Sequence, residues 1–157
     1  MPLKAGDKVP SATVNKTDLS EVDTADLFKG KKAVVFAVPG AFTPTCSAQH
    51  APGFIQKARD FKAKGVDEIF CISVNDAFVM KAWADGLKAG DDVTFIADGN
   101  GDFTKAMGLE LDGRGFGLGT RSQRYAAVIE DGTIKELAVE PGGGLTCSSA
   151  EAVLSTL

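Results

Sequence analysis

The sequence predicts an α/β fold, a mixed central sheet with helices on both of its faces. Three observations carry that prediction. Short apolar, β-rich runs stand at 31–38 ("KKAVVFAV"), 67–74 ("DEIFCISV") and 93–98 ("VTFIAD"). Segments of helical character separate them. Near the C-terminus, "QRYAAVIEDGTIKELAVE" sets two β-rich arms around Asp131-Gly132, a strong hairpin signature.

Each element has its own warrant. The runs at 31–38 and 67–74 are continuously apolar rather than alternating, as expected of strands buried on both faces. Between them, "SAQHAPGFIQKARDFKAKG" places Phe54, Ala58 and Phe61 at helical spacing and ends on Gly65, which suits a helix stop. Pro52 inside this stretch predicts a kink or restart about one and a half turns after Cys46. A second helix is predicted over 76–90, with Asp76 as N-cap and Phe78, Met80 and Trp83 among its apolar residues. "DFTKAMG" reads as a short helix after the third strand, and "SSAEAVLSTL" as a final helix with a serine cap. Parallel crossovers followed by an antiparallel hairpin give, in outline, a thioredoxin-like arrangement.

Composition narrows the function. A chain of 157 residues with no repeat and no low-complexity linker fits one domain, 1–157. Its 44% hydrophobic and 24% charged content is that of a globular protein. A net charge of −4 without a Lys/Arg-rich run argues against nucleic acid or an anionic membrane as partner. No apolar run approaches the roughly 20 residues of a membrane span. "MPLKAGDKVPSATV" has no continuous apolar core of a secretory signal, so a cytoplasmic setting is expected, where three cysteines are thiols rather than a disulfide framework.

Cys46, in "PGAFTPTCSAQH", follows the first strand and precedes a helix. In open α/β sheets ligands gather beyond the carboxyl ends of the strands, and the positive end of a helix favours a thiolate. Its neighbours are Pro, Thr and Ser rather than Val or Leu, which predicts an accessible turn instead of a small apolar residue in the core. A thioredoxin-type dithiol requires Cys-x-x-Cys, but Thr43 stands three residues before Cys46. A phosphate cradle of the Cys-x5-Arg kind would need arginine where Pro52 stands. His50 is the one histidine available as a base, and at i+4 it shares a regular helix face with Cys46. Nothing nearby marks an acid to orient its ring, so a supporting or partner-facing role is the plainer reading. Zinc would need about four clustered ligands, which the wide cysteine spacing and single histidine do not offer. A lone thiolate attacking a small oxidant is what remains.

"PGAFTPTCSAQHAPGF" resembles the peroxiredoxins of type II (Prx5 type), and the similarity runs in order through "KGVDEIFCISVNDAFVMKAW", "MGLELDGRG", "RSQRYA" and "GLTCSSAE". The resemblance implies a thioredoxin fold and a thiol peroxidase that uses neither cofactor nor metal. Its peroxidatic motif, Pro-x-x-x-Thr-x-x-Cys, falls on Pro39, Thr43 and Cys46, and its arginine falls on Arg124. The implied roles are attack by the Cys46 thiolate on a peroxide oxygen, acceptance from Cys46 or donation to peroxide by Thr43, and cover by Pro39, which has no N–H to satisfy. Arg124 would hold thiolate and oxygens. Lowering a thiol's pKa from about 8.5 to about 6 raises its thiolate fraction at pH 7 only about 30-fold. Lower basicity also blunts the nucleophile, so groups aimed at the breaking O–O bond must supply most of the acceleration. Arg121, three residues from Arg124, would face the other side of a regular strand.

The sulfenic acid left on Cys46 needs a second thiol before further oxidation. Cys147, after Gly142, Gly143 and Gly144, matches one resolving position of the family, and Cys71 in "IFCISV" matches another cysteine of the group but reads as core. Thioredoxin, glutaredoxin or glutathione would be the reductant. The resemblance also implies a homodimer, with Phe42, Phe78 and Phe116 as core or interface aromatics. The rival readings are a redox sensor or holdase with little turnover, and a disulfide-exchange protein, which the missing Cys-x-x-Cys argues against.

Overall fold

In a computed structural model that describes residues 2–142 and 144–157, seven strands form one sheet. They are β1 (Thr13–Lys16), β2 (Glu21–Asp23), β3 (Lys32–Val38), β4 (Glu68–Ser73), β5 (Thr94–Ala97), and two that follow a small separate ladder, β8 (Tyr125–Glu130) and β9 (Thr133–Val139). The ladder pairs β6 (Glu110–Asp112) with β7 (Thr120–Ser122). The sheet order is β2-β1-β5-β4-β3-β8-β9. β3, β4 and β5 run parallel, while β8 and β9 add an antiparallel hairpin on one side and β1 and β2 another on the other side. This is the expected thioredoxin-like mixed sheet.

The helices are α1 (Thr24–Leu27), α2 (Ala51–Gln56), α3 (Ala58–Ala63), α4 (Ala77–Leu87), α5 (Asp102–Met107) and α6 (Ala150–Leu154). The pleat explains why β3 is apolar throughout. Val34, Phe36 and Val38 enter one core with Phe54, Phe61, Trp83 and Val153, while Ala33, Val35 and Ala37 enter the opposite core with Phe70, Ile96 and Phe103. Phe36 stacks on Phe54 with centroids 4.2 Å apart, joining α2 to the sheet, and each such ring contributes about 1.5–3 kcal/mol on burial.

Caps and turns follow the sequence closely. Asp76 accepts a hydrogen bond from the Val79 amide at 2.8 Å and starts α4, and the Ser149 hydroxyl accepts from the Ala152 amide at the head of α6. Asp131 and Gly132 both adopt positive φ, 48° and 80°, as a type I′ turn demands. The short strands of the β1–β2 hairpin and the β6–β7 ladder, and α1, were not expected.

The stretch after Cys46 departs from a regular helix earlier than predicted. Residues Cys46–His50 form a π-helical turn, closed by the Ala51 amide donating to the Cys46 carbonyl. Pro52, which cannot donate into such a turn, lies at the start of α2, so the restart falls where the proline predicted it. A second break at Lys57 separates α2 from α3.

Candidate active site

Cys46 lies just past the carboxyl end of β3, at the first residue of the π-helical turn. Contrary to the accessible turn expected from its neighbours, its side chain is 0% exposed. Its thiol lies in the core that holds Phe36, Val38, Phe54 and Cys71.

What reaches that thiol is Arg124. One guanidinium nitrogen, Nη2, donates to Cys46 Sγ at 3.2 Å. The other, Nη1, donates to His50 Nδ1 at 2.8 Å, and His50 Nε2 donates to the Ser148 carbonyl at 2.9 Å. A carbonyl can only accept, so the ring carries its proton on Nε2 and presents a bare Nδ1 to the arginine. Burial, then the Arg124 charge, lower the pKa of His50 to about 4, which keeps it neutral at pH 7. His50 is thus a buried supporting residue rather than a partner-facing one. Arg124 bridges it to the Cys46 sulfur.

Arg124 can reach inward because the strand is broken before it. β7 ends at Ser122 and β8 begins at Tyr125, in different sheets, and the Gln123 amide donates to the Leu109 carbonyl at the gap. Arg121 and Arg124 therefore do not share one continuous strand, and the expected opposite-face alternation does not apply to them. Arg121 is in fact also close to the site: its Nε donates to the Leu118 carbonyl and its Nη1 to the Pro39 carbonyl at 3.3 Å. It buttresses the active-site loop from outside.

Thr43 donates its hydroxyl proton to the Gly40 carbonyl at 2.6 Å. With that hydrogen on the Gly40 carbonyl, Oγ1 is left with lone pairs that can accept. The loop is tied to β4 by Asn75, whose Oδ1 accepts from the Ala41 amide at 3.0 Å and from the Ser73 hydroxyl at 2.6 Å. Trp83 Nε1 donates to the Ser47 hydroxyl at 2.9 Å beside Cys46. Sequence reasoning missed Asn75, Arg121 and the His50–Ser148 contact. A cavity of about 250 Å³ ends on Pro39 and Arg124 and is further lined by Leu111, Gln123, Glu140 and Pro141.

The other two thiols differ in their surroundings. Cys71 is fully buried on central strand β4; burial raises its pKa well above the usual thiol value, its interaction with Cys46 adds to that, and Arg124 opposes it. Cys147 is partly buried, donates to the Val139 carbonyl at 3.5 Å, and has its pKa raised by burial and by Glu140. Of the three glycines before it, Gly143 lies outside the described residues. Among the described residues, no cluster of His, Cys, Asp or Glu is arranged to hold a metal ion, and no helix is long and apolar enough to cross a membrane.

A buried thiol held by an arginine, at the carboxyl end of a central strand of this sheet, defines a thioredoxin-fold thiol enzyme. The redoxin family matches residues 4–154. The chain is 53% identical to peroxiredoxin-2E-2, chloroplastic, of Oryza sativa subsp. japonica, with 99% of this chain and 72% of that protein aligned. It is 49% identical to peroxiredoxin-2B of Arabidopsis thaliana, with 99% of each covered. Among solved structures, reduced Prx3 of Vibrio vulnificus in complex with hydrogen peroxide superposes over 100% of both chains, with a TM-score of 0.95 and 49% identity. The chain belongs to the redoxin family and, within it, to the type II peroxiredoxins; it is a thiol-dependent peroxidase.

Proposed function

We propose that Cys46 is the peroxidatic thiol, that Arg124, Thr43 and Pro39 complete its site, and that Cys147 or an external thiol resolves the product. The 3.2 Å contact between Arg124 and Cys46 inside the core carries this reading. The Cys46 thiolate attacks one oxygen of hydrogen peroxide or a small organic hydroperoxide. An S–O bond forms, the O–O bond breaks, and sulfur loses two electrons. The attacked oxygen stays on sulfur as sulfenic acid, and the other departs as hydroxide or alkoxide and takes a proton. Arg124 stabilises the thiolate before attack and negative charge on oxygen during it. Thr43 accepts the peroxide O–H, which orients the peroxide, and Pro39 covers the site without an unsatisfied amide.

A second thiol then displaces water from the sulfenic acid to form a disulfide, which thioredoxin, glutaredoxin or glutathione reduces. For Cys147 this means giving up its hydrogen bond to the Val139 carbonyl. A second reading, resolution by Cys71, is favoured by one observation: Cys71 lies in the same buried core as Cys46.

We further place the protein in the cytoplasm, as its three free cysteines support, and read it as a homodimer. Phe42, Phe78 and Phe116 are 59%, 70% and 88% exposed, which favours interface over core for all three. Sedimentation would test the dimer, a monomeric mass at micromolar concentration counting against it.

The deciding experiment couples peroxide consumption to each reductant for wild type, Cys46→Ser, Cys147→Ser and Cys71→Ser. Undiminished turnover in Cys46→Ser would sink the mechanism. Loss of thioredoxin-linked turnover in Cys147→Ser alone assigns resolution to Cys147; loss in Cys71→Ser alone assigns it to Cys71. Oxidation of Cys46 without turnover by any reductant would favour a redox sensor instead.

A further inference from the structure

Arg124 is held at few points. Among the described residues its guanidinium has two partners, Cys46 and His50, and its buried Nε has none. The orientation of the group toward the sulfur therefore depends on His50. His50 in turn depends on the Ser148 carbonyl, 98 residues away in sequence.

Ser148 is itself seated by one carboxylate. Glu140, 4% exposed, accepts from the Ser148 amide at 2.8 Å, the Ser148 hydroxyl at 2.6 Å, the Thr146 amide at 2.8 Å and the Thr146 hydroxyl at 2.6 Å. The backbone of Glu140 also donates to the Arg124 carbonyl at 2.9 Å. One residue thus grips the main chain of Arg124 and, through Ser148 and His50, the far end of its side chain.

We propose that Glu140 is a positioning residue for peroxide reduction: by docking the 146–148 segment it fixes His50, and through His50 it aims Arg124 at Cys46. The inference rests on the assignment of Cys46 and Arg124 as the peroxide site. It bears on resolution as well, because Cys147 lies between the two residues that Glu140 holds. Departure of that segment withdraws the Ser148 carbonyl from His50, so the arrangement that reacts with peroxide requires the segment to stay docked.

The test isolates the first chemical step in a Cys147→Ser background. Peroxide-driven oxidation of Cys46 is followed by the fluorescence of Trp83, the only tryptophan, whose indole donates to Ser47 next to Cys46. Glu140→Gln is expected to lower the second-order rate constant about 10-fold while the far-ultraviolet circular dichroism is retained. His50→Gln should lower it as well, and the double variant should be no slower than the slower single one, because both act on the same arginine. Additive losses, or an unchanged rate in a folded Glu140→Gln protein, would overturn the proposal. Should Glu140→Gln fail to fold, Ser148→Ala and Thr146→Val each remove one bond to the carboxylate, and each is expected to slow oxidation about 2- to 5-fold. Wild-type rates in both would overturn it too. Controls separate the levels: if Cys46→Ser still consumes peroxide or Arg124→Ala oxidises at the wild-type rate, the assignment of the site fails, whatever Glu140 does.

Discussion

Arg124 meets Cys46 across 78 residues of sequence, with Nη2 3.2 Å from Sγ and both residues withdrawn from solvent. A charged donor in so dry a place acts far more strongly than it would at the surface, because little water competes for it. Replacing one preorganised donor at a centre of developing negative charge costs roughly 100- to 1,000-fold in rate. Arg124→Ala is therefore expected to slow peroxide oxidation of Cys46 by that factor. Arg124→Lys should recover little, because a single ammonium cannot bond sulfur and His50 with the fork geometry of guanidinium. Stopped-flow fluorescence at several peroxide concentrations checks both, and a lysine variant at the wild-type rate would show that charge alone suffices.

The loop over Cys46 has its own sensitive point at Gly40. A Cβ there would lie 2.8 Å from Arg121 Nη1 and 3.1 Å from Thr43 Cγ2. Arg121 could swing away, but only by giving up its bond to the Pro39 carbonyl. Gly40→Ala is expected to leave the protein folded and destabilise it by about 1 kcal/mol, the net worth of such a bond. It should also slow Cys46 oxidation several-fold by loosening Pro39 and Thr43. Arg121→Ala should reproduce the slower rate, and a wild-type rate in both variants would separate Arg121 from the loop's function.

The parts of this molecule that were legible in sequence are those set by local chemistry. The continuous apolar strands, the Asp131-Gly132 turn, the Asp76 cap and the restart at Pro52 all follow from residues within a few positions of one another. β1, β2, β6 and β7 escaped because they have three or four residues each, with too few apolar positions for a period to show. Motif resemblance brought Pro39, Thr43, Cys46 and Arg124 into view. It could not show that Cys46 is buried, since polar neighbours report on the loop's backbone and not on where its thiol points. Nor could any local pattern join Ser148 to His50, or Arg121 to Pro39, because those contacts exist only once β8, β9 and the C-terminal segment have packed.

Stability and rate should come apart at Asp98. This residue is 2% exposed and its carboxylate accepts from the Phe103 amide, the Thr104 amide and the Thr104 hydroxyl, fastening the start of α5 to the end of β5. Asp98→Ala strands three buried donors and is expected to cost about 3 kcal/mol in urea unfolding. None of those donors touches the Cys46 site, so the oxidation rate measured at 25 °C should stay within about 2-fold of wild type. A large loss of rate would reveal a coupling that the hydrogen bonds do not suggest.

The single histidine gives the protein a distinctive acid sensitivity. His50 is held neutral, with its pKa lowered from 6.5 to about 4 by burial and by Arg124. In the unfolded chain it takes up a proton near 6.5, so between about pH 6.5 and 4 the unfolded state binds more protons than the folded one. Stability must then rise with pH across that window, and is lost as pH falls through it. From pH 7 to pH 5 this one residue accounts for a loss of about 2 kcal/mol at 1.36 kcal/mol per unit. Glu140 acts in a lower window. Burial raises its pKa, but the hydrogen bonds from Ser148 and Thr146 outweigh that and take it down to about 2, so its contribution is lost only below about pH 4.5. Urea unfolding at pH 7 and pH 5 should therefore show a drop in wild type that is about 2 kcal/mol larger than in His50→Gln, with no share from Glu140. Equal drops in the two proteins would mean that His50 is not held neutral in the folded state.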